Sequence, residues 1–146
     1  MLFRSMMIRK TYGLFTFSLL LAGCAGLPSG DDTPLPVSDK GAVVALFDSA
    51  KADATSGKLD TAAASLERAL RIEPHNPALW HELAKLRLQQ RQPDQAASLA
   101  AKSNALAGNN KSLRAGNWRI IGEARAKKGD DQGAQDAFNK AAELEK

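Results

Sequence analysis

Few residues of this chain have types and spacing suited to chemistry. His81-Glu82-Leu83-Ala84-Lys85 opens like a zinc-binding H-E-x-x-H helix, in which two histidines four residues apart hold the metal from one face and the glutamate serves as base. Lys85 stands where the second histidine belongs, so no such pair exists. The other histidine, His75, lies in a turn between Pro74 and Asn76, the setting of a solvated surface side chain. There is no glycine-rich phosphate loop, and the single cysteine, Cys24, excludes both an internal disulfide framework and a cysteine-based zinc site. Asp130-Asp131, following Lys127-Lys128, reads as charge that complements neighbouring helix termini. The expectation is a chain with no catalytic residues, no metal and no cofactor, whose side chains act by binding.

Charge position narrows what is bound. The 146 residues carry 20 Lys and Arg against 16 Asp and Glu, a net of +4 that taken alone suggests nucleic acid. Arg4, Arg9 and Lys10 lie among the first 23 residues, where there is no acid, so the remainder is nearly neutral at 17 against 16. The basicity belongs to the N-terminal segment and not to a binding face. That segment reads as a signal peptide over residues 1–23: a basic start, the apolar run Gly13–Leu21, too short to span a bilayer stably, and then Leu21-Ala22-Gly23-Cys24. These four residues resemble the lipobox of bacterial lipoproteins, in which the cysteine is acylated and becomes the mature N-terminus. Cys24 is thus the expected lipidation site. Ala25 in place of Asp implies, by resemblance to enterobacterial sorting rules, the outer membrane, lipid-anchored on its periplasmic side.

Residues 24–40 contain Pro28, Pro34 and Pro36 with Gly26, Gly30, Asp31 and Asp32, a composition that buries no core and predicts a flexible tether. About 15 residues at roughly 3.3–3.6 Å each reach at most about 50 Å. Residues 41–146 differ in showing a 34-residue period, with repeats over 43–76, 77–110 and, after the insertion Lys111–Arg114, 115–146. Ala62, Ala96 and Ala134 recur at one repeat position, Ala50, Ala84 and Gly122 at another, and Leu46, Trp80 and Trp118 at a third, which is expected to face the seam between helices. Alanine, leucine, lysine and arginine at 3.6-residue spacing predict helices over Val43–Ser56, Asp60–Ile72, Pro77–Gln90, Pro93–Leu106, Ser112–Lys128 and Asp131–Leu144. Pro77 and Pro93 suit first turns, and Gly57 and Gly129 suit left-handed helix ends.

These recurring residues resemble the tetratricopeptide repeat, TPR. The implied fold is all-α: three helix-turn-helix repeats, six helices, stacked as a solenoid after the signal peptide and tether. The chain departs from the repeat pattern at Ser49, at Asp53, Arg87 and Arg125, where an aromatic is common, and at Arg91, where glycine is usual. These departures place the first repeat's packing in question, and the uncapped last repeat offers a candidate self-association face.

The resemblance implies that the first helix of each repeat lines a concave face. Its candidate partner-binding groove comprises Phe47, Lys51, His81, Lys85, Leu88, Arg119 and Glu123, with Lys51, Lys85 and Arg119 forming a cationic ladder beside apolar Phe47 and Leu88. Ala78–Ala84, Ser103-Asn104-Ala105-Leu106-Ala107 and Asn117-Trp118-Arg119-Ile120-Ile121 are more particular, and TPR packing does not require the Ser-Asn and Asn-Trp pairs. They resemble the small TPR lipoproteins of the Lpo type, which activate bifunctional class A penicillin-binding proteins. The implied partner is such a synthase, with no nucleic acid and no small-molecule substrate. A pilotin-like or assembly-scaffold lipoprotein for an outer-membrane or pilus complex, an organiser of peptidoglycan hydrolases and a passive structural lipoprotein share the same features.

The lipobox assignment is directly testable. Cys24→Ser is expected to abolish acylation while leaving the repeat domain folded, because Cys24 lies outside the repeats; fractionation and intact mass are the readouts. A wild-type chain that is soluble and carries no acyl mass refutes the assignment.

Overall fold

The computed structural model of this chain describes residues 37–146. The signal peptide, Cys24 and the tether up to residue 36 lie outside the described residues. Six helices follow one another: α1 (Gly41–Thr55), α2 (Leu59–Ile72), α3 (Pro77–Gln89), α4 (Pro93–Leu106), α5 (Lys111–Lys127) and α6 (Asp131–Leu144). Their ends agree with the expected spans to within two residues. None is long and apolar enough to cross a membrane.

Local chemistry sets these ends. Asn76 caps α3, its side-chain oxygen accepting from the amides of Ala78 and Leu79 at 3.0 and 3.4 Å, and Pro77 fills the first turn, where no donor is required. Asn110 caps α5 through Leu113 N at 2.9 Å, and Asp130 caps α6 through Gly133 N at 2.9 Å. Gly57 and Gly129 leave α1 and α5 at φ of 75° and 80°. Arg91 takes φ 59° after α3. The turn that glycine usually makes is therefore made by a residue with a β-carbon, at a cost of roughly 1 kcal/mol.

Consecutive helices pair as hairpins, α1 with α2, α3 with α4 and α5 with α6, and each hairpin lies against the next. Ala62, Ala96 and Ala134 are buried on the second helices, and Ala50, Ala84 and Gly122 on the first, so the backbones approach closely. At Gly122 a β-carbon would lie 2.5 Å from Phe138 Cε1, so the absence of a side chain makes room for that ring. Two apolar clusters result. One joins Val43, Leu66, Leu70, Leu79 and Leu83 across the first two repeats, and the other joins Ala84, Ala96, Ala100, Ile120 and Ile121 across the last two.

Leu46, Trp80 and Trp118, expected at the seam, are only half-buried, and the fully buried large apolar residues of the first helices are Val43 and Leu79. The position turns partly outward, and Trp80 donates its indole N–H to the Pro74 carbonyl at 2.8 Å while its ring walls an open cavity. Arg87 and Arg125, in place of aromatics, tie neighbouring elements by polar contact. Arg87 meets Glu67 of α2 at 2.6 Å, and Arg125 donates to the Gly133 carbonyl at 3.0 Å. Within the first repeat, α1 buries only Val43 and Ala50 and leaves Ser49 exposed, so it is shallowly held. The outer side of α6 exposes Gln132, Gln135, Asp136, Asn139, Lys140 and Glu143. That surface has the polar character of the end cap a repeat array needs.

Leu79→Ala is expected to destabilise the domain by about 2–5 kcal/mol and Trp80→Ala by less than about 3, because only the first side chain is fully enclosed. Chemical denaturation of the two variants checks the order, and a larger loss at Trp80 would reverse the burial assignment.

Candidate partner-binding groove

The first helices α1, α3 and α5 present the expected groove residues, but the structure distributes them unevenly. Phe47, Lys51 and Lys85 meet around a cavity of about 190 Å³ between α1 and α3, floored by Ala50, Leu66 and Leu86. Lys51 Nζ lies 5.5 Å from the centre of the Phe47 ring. Leu88 is half-buried against the second apolar cluster, which places its surface between helices. Arg119 and Glu123 are exposed on α5 and do not line this cavity.

The cationic ladder is largely neutralised within the chain. Lys85 Nζ sits 3.0 Å from Glu82, and Arg119 pairs with Glu145 beyond the end of α6. Only Lys51 of the three has no carboxylate partner among the described residues. Exposed pairs of this kind contribute about 0–1 kcal/mol, so an incoming carboxylate would replace Glu82 or Glu145 at little net cost. The groove therefore offers one unpaired cation, two exchangeable ones and a small apolar hollow.

His81 is the groove residue with the most polar contact to a neighbouring repeat. It is half-buried with Nδ1 2.7 Å from Asn117 Oδ1, and Asn117 is fully buried. The Asn117 amide donates to Ser103 Oγ at 2.8 Å and to Asn104 Oδ1 at 3.0 Å, while the Ser103 hydroxyl donates to the Pro77 carbonyl at 2.8 Å. This network joins α3, α4 and α5 and accounts for the Ser-Asn and Asn-Trp pairs that repeat packing leaves unexplained. The pairs were visible in the sequence; their meeting across 14 residues with His81 was not.

The tetratricopeptide repeat profile matches residues 54–116. The globular C-terminal domain of LpoP from P. aeruginosa is 41% identical, with a TM-score of 0.70 over 72% of this chain and 99% of that one. The chain belongs to the LpoP family. Two more distant structures share the fold alone: the N-terminal domain of stress-induced protein-1 from C. elegans, at 17% identity and TM-score 0.65 over 70% of this chain and 84% of that one, and the Sgt2 TPR domain from Aspergillus fumigatus, at 24% and 0.66 over 77% and 72%. No curated protein sequence matches.

Two further features of this LpoP-family domain escaped the sequence reading. Between α2, α3 and α4, Trp80, Leu70, Leu83 and Leu99 wall an apolar cavity of about 670 Å³ rimmed by Arg71, Arg87 and Asp94. At the domain's entry, residues 37–40, assigned by composition to the tether, are tied down. Glu73 accepts from Ser38 Oγ and Asn76 Nδ2, each at 2.8 Å, with Lys40 Nζ at 3.5 Å, and Asn76 also donates to the Val37 carbonyl. The Asn76 bond first, then the Ser38 bond and the Lys40 charge, outweigh burial and hold the Glu73 carboxyl below its ordinary value.

A carboxylate whose folded-state pKa is lowered stabilises the fold above the unfolded value, near pH 4.5, and that contribution is lost as pH falls through the lowered value. Glu73→Gln is therefore expected to lower the melting temperature at neutral pH and to leave it nearly unchanged in strong acid. Thermal scans from pH 7 to about pH 3 test this, and a constant difference between the two chains across that range contradicts it.

Proposed function

We propose that this chain is a lipid-anchored lipoprotein on the periplasmic side of the outer membrane. Its TPR domain binds a class A penicillin-binding protein and activates it. LpoP-family membership at 41% identity over the whole of the LpoP globular domain carries this reading. The sequence supports it through the lipobox at Cys24 and the short Pro/Gly/Asp tether. The structure supports it with a groove whose cations, Lys51, Lys85 and Arg119, suit a partner segment bearing carboxylates.

The role is that of a binding protein and not an enzyme. An activator that binds the active state of the synthase more tightly than the inactive one shifts the population by that difference, and a tenfold shift needs about 1.4 kcal/mol. The groove acts through ion-pair exchange and a shallow apolar contact, and no bond is made or broken by this chain. With residues 37–40 tied to the domain, the 13 residues from Cys24 to residue 36 keep it within about 45 Å of its membrane.

Glycan polymerisation and cross-linking by the purified synthase, with and without residues 25–146, test the proposal. Rates are expected to rise several-fold. Lys51→Glu with Lys85→Glu should weaken binding about 5- to 30-fold, the equivalent of about 1–2 kcal/mol, and make what binding remains less sensitive to salt. Unchanged rates at saturating domain, together with no detectable binding, reject activation.

A further inference from the structure

The hydrogen bonds around Asn117 have only one consistent direction. The Pro77 carbonyl accepts and cannot donate, so the Ser103 hydroxyl, 2.8 Å away, gives it its hydrogen and must accept from Asn117 Nδ2. The second amide hydrogen goes to Asn104 Oδ1 at 3.0 Å. With both hydrogens used, the atom facing His81 Nδ1 at 2.7 Å is the Asn117 carbonyl oxygen, which also only accepts. The hydrogen on that bond therefore belongs to His81 Nδ1, and in the neutral ring the lone pair is left on Nε2.

Position decides what that lone pair can do. Gln92 Oε1 is the single buried side-chain polar atom without a partner among the described residues. His81 Nε2 also has no protein partner there, so it reaches solvent. The ring lies against Gly116 of α5, where a β-carbon would come within 3.0 Å of Cε1, and this contact and the Asn117 bond together fix its orientation. Lys85 stands one turn further along α3, and Arg119 lies one turn beyond Gly116 on α5.

We infer that the Pro77–Ser103–Asn117 relay locks His81 as the Nδ1–H tautomer and makes Nε2 a fixed acceptor on the concave face, the seat for an uncharged N–H donor of a partner segment whose adjacent carboxylate pairs with Lys85 or Arg119. The inference rests on the concave-face binding proposed above and names the chemistry of the segment bound there. It assigns His81 as a specificity-determining residue and Asn117, Ser103 and Gly116 as positioning residues.

Long-range proton–nitrogen correlation spectra of ¹⁵N-labelled residues 25–146 at mildly alkaline pH read the tautomer without any variant. The expected result is a protonated Nδ1 and an unprotonated Nε2 for His81, and the reverse assignment overturns the lock. His81→Asn retains a short amide able to donate to Asn117 but removes the outward acceptor. It should bind the purified class A penicillin-binding protein about tenfold more weakly while melting within a few degrees of wild type. Following the wild-type Nε2 resonance as synthase is added gives the same answer should that variant fail to fold, with a shift expected on binding. If Lys51→Glu weakens binding while His81→Asn does not and the Nε2 resonance stays still, the groove reading stands and the seat is refuted. If the wild-type domain does not bind the synthase at all, the seat falls with the function proposed for it, and the tautomer remains as a feature of the fold alone.

Discussion

The two helices of each hairpin in this domain lie as close together as they do because the residues facing each other between them have almost no side chain. Ala62, Ala96 and Ala134 on the second helices and Ala50, Ala84 and Gly122 on the first are buried at these contacts. Large residues there would hold the backbones apart. With the spacing set, Leu66, Leu79 and Leu83 meet in one cluster and Ile120 and Ile121 meet α3 and α4 in the next. Phe138 closes over Gly122 for the same reason, in space that a methyl group would occupy.

Close approach between α3 and α5 has a polar consequence. A fully buried amide, Asn117, sits where the second and third repeats meet, and a buried polar group without partners would cost about 1–3 kcal/mol. Here both amide hydrogens and the oxygen are satisfied, by Ser103, Asn104 and His81. The network restricts how the two repeats can shift against each other, because any slide breaks several bonds together. It also converts a histidine of the concave face from a freely rotating surface group into an oriented one. Among the described residues the first and second repeats have no counterpart, and the side-chain links between α2 and α3 are exposed: Arg87 to Glu67, and Gln90 to Asp60 at 2.7 Å.

The fold was legible because its signals are local and repeated. Alanines at a 34-residue spacing, prolines at two first turns and glycines at two helix ends define six helices and their pairing without knowledge of distant contacts. The site was legible only in part. Helix phase groups Phe47, Lys51 and Lys85, which line one hollow, but it cannot show that Lys85 turns to Glu82 on its own helix or that Arg119 reaches Glu145 at the other end of the third repeat. Ion pairing depends on side-chain reach, which periodicity does not encode. Trp80 shows the complementary limit: its repeat position marks it as large, while the fraction of the ring left open depends on how far α4 stands from α2.

On the proposed reading, the strength of the groove follows from its dimensions. Exchange of Glu82 or Glu145 for a partner's carboxylate is nearly neutral, since exposed ion pairs contribute only about 0–1 kcal/mol in either arrangement. The hollow at Phe47, about 190 Å³, accommodates one apolar side chain, and burying one contributes about 1.5–3 kcal/mol. Contacts of this size produce weak binding from free solution once the loss of rigid-body freedom is counted. A lipid anchor changes that balance without adding a contact. It confines domain and partner to the same narrow compartment and so raises the frequency of encounter. The tether at one end of the domain and the modest groove on its concave face are then two parts of one arrangement, in which confinement supplies encounter and the groove supplies the choice of partner.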